Sequence, residues 1–261
     1  MYSKLKILSN QILNRFGLNV DTSVKSSEIQ DLLDLLKVKD ISIPSIRIGS
    51  DNDGGYVVPD VLDNIGYCFS FGISDNCDLE NQMADCGMQV YAIDGSIEGL
   101  PTKNKNIHFT KKYIGRDYSS DYIGINEWVS SCIYEKGSIM FSMDIEESEW
   151  ETILDLDTSI LKTVDLFVIE FHGFHLLTQK SFFKKAKNAL LKLDDLFIVT
   201  NTNVNNTAPN LNLPNIRSIP SVLEVTYLAK RVMKENDIRV VEQISNERVS
   251  LNRPNDSSIS V

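Results

Sequence analysis

The stretch GYCFSFGISDNCDLENQMADCGMQVYAIDG, from Gly66 to Gly95, decides the fold. It opens with a short apolar run, GYCFSFGI, that reads as a buried strand ending in glycine. DNCDLENQMADCG then suits a helix closed by Gly87, a favoured residue just past a helix end. MQVYAIDG is a second strand. Strand, helix and strand in succession imply a βαβ unit, which belongs to a mostly parallel sheet covered on both faces.

The same alternation extends downstream. INEWVSSCIYEKG reads as a helix, and SIMFSMDI, VDLFVIEF and DLFIVTN as three more strands of mainly β-branched or aromatic residues. EESEWETILDL and TQKSFFKKAKNALLKL are the helices between them. SVLEVTYLAKR is the last strand, after an Asn- and Pro-rich loop from Asn201 to Pro220. Upstream, IRIGSDNDGGYVVPD, Ile46 to Asp60, is dense in turn formers, and residues 1–40 read as two helices, the second carried by Ile29, Leu32, Leu33, Leu35 and Leu36. The expected organisation is an N-terminal helical extension over 1–45, one doubly wound α/β domain over 46–245 and a polar tail over 246–261.

With 261 residues and 42% hydrophobic composition, the chain can bury one sizeable core. Its formal charge of −10 argues against a nucleic-acid partner, since phosphate binding needs clustered Lys and Arg. No apolar run reaches the ~18 residues that span a bilayer, so no integral membrane segment is expected. The start, MYSKLKILSNQILNRFGL, has spaced basic residues and fits an amphipathic helix better than a signal peptide. Cys68, Cys77, Cys86 and Cys132 show no CxxC pair and read as reduced thiols, which points to a cytoplasmic address.

In an open α/β sheet, ligands bind beyond the carboxyl ends of the strands, at the switch in strand order. After the first strand come Phe71, Gly72, Ile73, Ser74 and Asp75, where Gly72 lets the backbone approach a ligand. One glycine is not the GxGxxG fingerprint, so the loop suits a ligand without a pyrophosphate better than NAD. Asp94 ends the second strand, where an acid can accept from both ribose hydroxyls. Order and spacing together favour a nucleoside site. The third strand ends at Asp144, either a helix N-cap or an acid in the cleft. The next ends in Glu170-Phe171-His172-Gly173-Phe174-His175, with two of the chain's three histidines. Glu170 and His172 point to one side of an extended strand. There the carboxylate could fix the imidazole as a general base, while His175 is a weaker candidate for substrate contact. A divalent ion on Asp144, Glu170 and His172 is a third option, but no tight ligand motif supports it and no metal is assigned.

These same residues carry a resemblance. SFGISDNCDLE, VYAIDG, FSMDIEESEW and VIEFHGFH, in that order, resemble the FkbM-type and methyltransferase-like-24-type class I methyltransferases, and RIGSDNDGGYVVPD resembles that group's lead-in. The similarity runs from Arg47 to Arg231. It implies a Rossmann-like class I methyltransferase fold with a mostly parallel seven-stranded sheet, helices on both faces and S-adenosylmethionine as cofactor. By resemblance, Phe71, Gly72, Ile73 and Asp75 would hold the methionyl part and Asp94 the ribose. Arg47, Asp53, Gly54, Gly55 and Tyr56 would line the cleft, Asp144 would lie beside the reacting centre, and His172, with Glu170, would be the base. Two departures stand out. Glu147 replaces the usual glycine after DIE, and TNTNVNN has Asn201 and Asn203 where relatives carry histidines, leaving Asn205 and Asn206 as substrate contacts.

The activity this implies is O-methyl transfer to a small molecule, sugar or phosphorylated precursor in surface-polysaccharide or secondary-metabolite assembly. A homodimer is left open. The rivals are an NAD-dependent oxidoreductase or epimerase, disfavoured by the missing GxGxxG, and a methyltransferase-fold binding module without activity.

Overall fold

A computed structural model describes residues 24–51, 54–116, 119–132, 137–205, 210–211 and 219–241. The amphipathic start, the polar tail, Asp53 and Asn206 lie outside these residues. The chain enters through helix α1 (Ser26–Leu33) and a 3-10 turn, Asp34–Leu36, with Ile29, Leu32 and Leu36 buried. The turn-forming stretch then makes a hairpin, β1 (Ser45–Gly49) and β2 (Gly55–Pro59), paired antiparallel.

The alternating part follows as β3 (Tyr67–Phe71), α2 (Asp78–Asp85), β4 (Gln89–Ile93) and β5 (Ile107–Thr110). Two short strands, β6 (Tyr113–Ile114) and β7 (Tyr122–Ile123), lead to α3 (Ile125–Ser131) and β8 (Ile139–Met143). Next come α4 (Glu149–Asp155), α5 (Thr158–Leu161), β9 (Val164–His172) and α6 (Lys180–Asp194). β10 (Phe197–Val204), β11 (Asn210–Leu211), β12 (Ile219–Pro220), β13 (Val222–Ala229) and α7 (Lys230–Glu235) complete the described chain.

Seven strands form one sheet in the order β10-β13-β9-β8-β3-β4-β5. Every strand but β13 runs the same way, and β13 is antiparallel to both β9 and β10. From β3 the chain moves outward through β4 to β5, then returns to β8 and moves outward the other way. Right-handed crossovers that reverse direction place their helices on opposite faces. The mostly parallel, seven-stranded α/β fold expected from the sequence is therefore present, with its switch between β3 and β8.

The central strands are apolar because both of their faces are covered: every residue of β8 is buried, and Val164 to Phe171 of β9 likewise. Phe69, Phe71, Phe141 and Trp128 meet edge to face in the core. Gly87 takes a φ of 94° and closes α2, as its position indicated. The strand count rises from six to seven with β5, whose residues are only partly covered. Cys68, Cys77, Cys86 and Cys132 are all free. No helix among the described residues is long and apolar enough to cross a membrane.

One carboxyl is sealed within this core. Glu80, on α2, accepts from the Ser70 hydroxyl, while its other oxygen has no partner. Burial raises its pKa from 4.5 to about 7 against the opposing pull of the Ser70 hydrogen bond. Between those values the folded chain holds a proton that the unfolded chain releases, so stability falls as pH rises through this window. Glu80→Gln should flatten that slope and be more stable than wild type at pH 8, by roughly 3 kcal/mol at most, and so unfold at a higher temperature. Thermal unfolding at pH 5 and pH 8 checks it, and equal curves for the two proteins at pH 8 would refute it.

Candidate functional site

The sheet's switch brings three strand ends together. The Gly72 amide donates to the Ile93 carbonyl, and the Asp144 amide to the Phe71 carbonyl, both at 2.9 Å. Gly72 has a φ of 79°, and a Cβ there would overlap the Asp144 carbonyl oxygen. The sequence assigned this glycine to close approach of a ligand; what it approaches in the structure is the neighbouring strand. Gly72→Ala should therefore unfold in urea several kcal/mol earlier, from steric overlap and the left-handed φ together. An unchanged midpoint would count against the close packing.

Asp94 holds the turn that follows. Its Oδ2 accepts from the Ile73 and Ser74 amides at 2.8 Å each, and its Oδ1 accepts from the Ser96 amide and hydroxyl at 2.7 and 2.6 Å. Burial works against the charge, but the donors from Ser96, Ile73 and Ser74 prevail and keep its pKa low. Those four donors occupy the roughly four lone-pair sites of a carboxylate. A ribose here would have to exchange with Ser96. Asp75 is exposed on the same loop.

The β1–β2 hairpin covers the site from the side. The Gly49 amide donates to the Gln82 side chain at 2.7 Å, and the Thr226 hydroxyl to the Val57 carbonyl at 2.8 Å, which ties the hairpin to α2 and β13. Arg47 donates to the Ser50 carbonyl at 3.2 Å and lies so near Gly55 that a Cβ on Gly55 would overlap its guanidinium. Tyr56 is buried. Burial first, then the charges of Asp144, Glu224, Glu170 and Glu80, push its hydroxyl pKa well up. The lead-in motif thus reaches the same strand ends.

The chemistry gathers at the ends of β8 and β9. Glu149, the first residue of α4, is fully buried. Its Oε1 accepts from the Ile145 amide at 3.1 Å and lies 3.2 Å from His172 Nδ1; its Oε2 accepts from the His172 amide at 3.5 Å. His172 Nε2 lies 3.4 Å from Glu146. Trp150 Nε1 donates to the His172 carbonyl at 2.6 Å, and its ring stacks on Phe171. Burial would lower the pKa of His172, but the hydrogen bond and charge of Glu149, with Asp144 and Glu170, raise it. Asp144 is raised too, by burial and then by the charge of Glu170, and its Oδ1 is enclosed without a hydrogen-bond partner.

Two expectations are corrected here. Glu149, not Glu170, holds the imidazole: Glu170 instead accepts from Asn205 Nδ2 at 2.7 Å. Asp144 is not an N-cap either, because α4 begins at Glu149 and Ser148 occupies that place. Between them the chain passes through Glu146 and Glu147 with φ of 49° and 74°. A glycine would suit that conformation without strain.

Beside Glu170 the sheet register continues the polar row. Glu170 faces Glu224 on β13, and Glu224 faces Asn203 on β10, whose Nδ2 donates to it at 2.8 Å. All three are buried. Sequence reading passed over Glu149 and Glu224, although a lone carboxylate inside the apolar run SVLEVTYLA is a visible signal. On the other side of His172 lies a cavity of about 370 Å³, lined by Glu146, Glu147, Glu151, Leu176 and Phe182 among others. His175 is exposed and does not line it.

No family model matches the chain, and no curated protein matches it. Solved structures show a distant likeness. The Methanococcus jannaschii fibrillarin pre-rRNA processing protein is 13% identical over 81% of this chain and 88% of its own, with a TM-score of 0.37. A Burkholderia thailandensis 1,6-didemethyltoxoflavin-N1-methyltransferase, solved with 1,6-didemethyltoxoflavin and S-adenosylhomocysteine, is 11% identical over 64% of this chain and 72% of its own, with a TM-score of 0.31. The order of the sheet, rather than these likenesses, defines the fold.

The strained turn provides a check on the local geometry. A left-handed φ costs a residue with a side chain roughly 1 kcal/mol more than glycine. Glu147→Gly is expected to raise stability by about that amount in urea unfolding, less the added freedom of the unfolded chain. A clear loss would mean that the Glu147 side chain holds the turn.

Proposed function

We propose that the chain is an S-adenosylmethionine-dependent methyltransferase acting on a hydroxyl group of a small, polyhydroxylated acceptor. The observation that carries this reading is the meeting, at one switch point, of the Gly72–Asp94 turn and the Asp144–Glu149–His172 group. The first suits a nucleoside and the second handles protons. The ordered motifs that resemble FkbM-type methyltransferases support the same cofactor.

The sulfonium brings its own activation, so the protein's work is alignment. An acceptor oxygen lone pair attacks the methyl carbon, and the carbon–sulfur bond breaks with its electron pair going to sulfur, leaving a neutral thioether. The hydroxyl proton leaves toward the group that Asp144, Glu149 and His172 form. On this reading Asp144, at the switch, faces the positive sulfonium, and the turn of Gly72 to Ser74 receives the methionyl and ribose parts.

The cavity beside His172 is the candidate acceptor pocket. Its rim carries Glu146, Glu147 and Glu151, opposed by Lys185 in an ion pair with Glu151. Like charges repel at such distances, so this rim disfavours a phosphorylated acceptor and favours a neutral sugar or similar polyol. That fits an acceptor in surface-polysaccharide or secondary-metabolite assembly.

His172→Ala should lower turnover by at least ~100-fold, the scale of lost proton transfer, while calorimetry shows S-adenosylhomocysteine affinity within about twofold of wild type. Wild-type turnover in the variant would sink its role. Asp94→Asn should weaken that affinity by about tenfold or more, because an amide accepts fewer hydrogen bonds and loosens the turn. Unchanged affinity would remove Asp94 from the cofactor site.

A further inference from the structure

We propose that Asp144, Glu149 and His172 form a binding site for one divalent transition-metal ion such as Mn²⁺ or Co²⁺. Each side chain offers one ligand atom, and the three atoms lie within 4.8 Å of one another. His172 Nδ1 and Glu149 Oε1 are 3.2 Å apart. Two ligands that bind one ion at right angles, each at about 2.1 Å, are separated by about 3.0 Å. That pair therefore needs only a few tenths of an ångström of adjustment, and Asp144 offers the third ligand atom within 4.8 Å.

Two further features point to a cation. The Asp144 Oδ1 atom is enclosed and has no hydrogen-bond partner, a state that costs free energy unless something positive or protic meets it. The surroundings are also acidic, since Glu146, Glu149 and Glu170 act on the imidazole or on Asp144.

The far side of the imidazole fits as well. With Nδ1 on the ion, Nε2 carries the remaining proton and faces Glu146 Oε2 at 3.4 Å. A carboxylate behind a ligating histidine orients the ring and strengthens it as a ligand. Two carboxylate oxygens and one imidazole nitrogen suit manganese, iron, cobalt or zinc better than calcium, which prefers oxygen alone. Glu149 takes the place that strand-end reasoning gave to Glu170, whose carboxylate is engaged by Asn205.

This inference goes beyond methyl transfer and does not depend on it. Where the two meet, a cation held by Asp144, Glu149 and His172 would supply Lewis acidity, since a hydroxyl bound to a cation loses its proton more readily.

The test uses the full chain, stripped with EDTA and dialysed, without S-adenosylmethionine. Titration with Co²⁺, followed by visible absorption, and with Mn²⁺, followed by electron paramagnetic resonance, should show one saturable ion per chain. Asp144→Asn and His172→Gln should each weaken binding at least about tenfold, while His175→Gln, at an exposed histidine outside the cluster, binds as wild type does. Metal-free unfolding midpoints confirm that each variant folds, and a variant that does not is replaced by Asp144→Ser or His172→Asn. No saturable binding, the same affinity in the Asp144 and His172 variants, or loss of binding in His175→Gln would overturn the site. S-adenosylhomocysteine calorimetry on the same samples reports separately on the methyltransferase reading.

Discussion

The carboxylate of Glu149 joins the ends of β8 and β9 beyond the last pair of their ladder, Met143 and Ile169. It is enclosed on α4, yet it accepts from the backbone at the end of β8 and meets both the backbone and the ring of His172 at the end of β9. A buried charge survives only when donors surround it. The turn from Asp144 to Ser148, the orientation of His172 and the docking of Trp150 all follow from satisfying this one group. The left-handed backbone of Glu146 and Glu147 is part of the same arrangement, because the chain must double back sharply to bring Glu149 beneath the strand ends.

Antiparallel β13 serves the site in a different way. Inserted between β9 and β10, it sets Glu224 between Glu170 and Asn203 in a single cross-strand row. Two neighbouring buried carboxylates repel unless something intervenes, and here Asn203 and Asn205 supply amide donors to one each. The asparagines of TNTNVNN therefore have a definite structural task. They stabilise an acidic wall that an imidazole could have neutralised only by carrying charge.

How much of this was legible in the sequence follows from the range of each interaction. β3, β4, β8 and β9 show as apolar runs because they are covered on both faces, and Gly87 shows because helix ends have local chemistry. β5 is an edge strand of four residues, none of them buried and His108 exposed, so its pattern is indistinct. The hairpin was hidden by its own loop, since the glycines and aspartates between Gly49 and Gly55 mask short strands on either side. Gly72, Asp94, Asp144 and His172 could be located because strand ends are where sites form. Their partners could not, because Glu149 reaches His172 across 23 positions and Glu224 reaches Asn203 across 21. A single sequence shows which residues are unusual, not which of them face each other.

The Asp94 carboxylate, with its lone pairs already spoken for, has a consequence for how any nucleoside would arrive. Ribose hydroxyls could enter only by trading places with the Ser96 hydroxyl, one oxygen donor for another. Such a swap exchanges one hydrogen bond for another, so the sugar would be admitted only while the Ile73 and Ser74 amides keep Asp94 in place. A pocket of this kind discriminates by what it must give up.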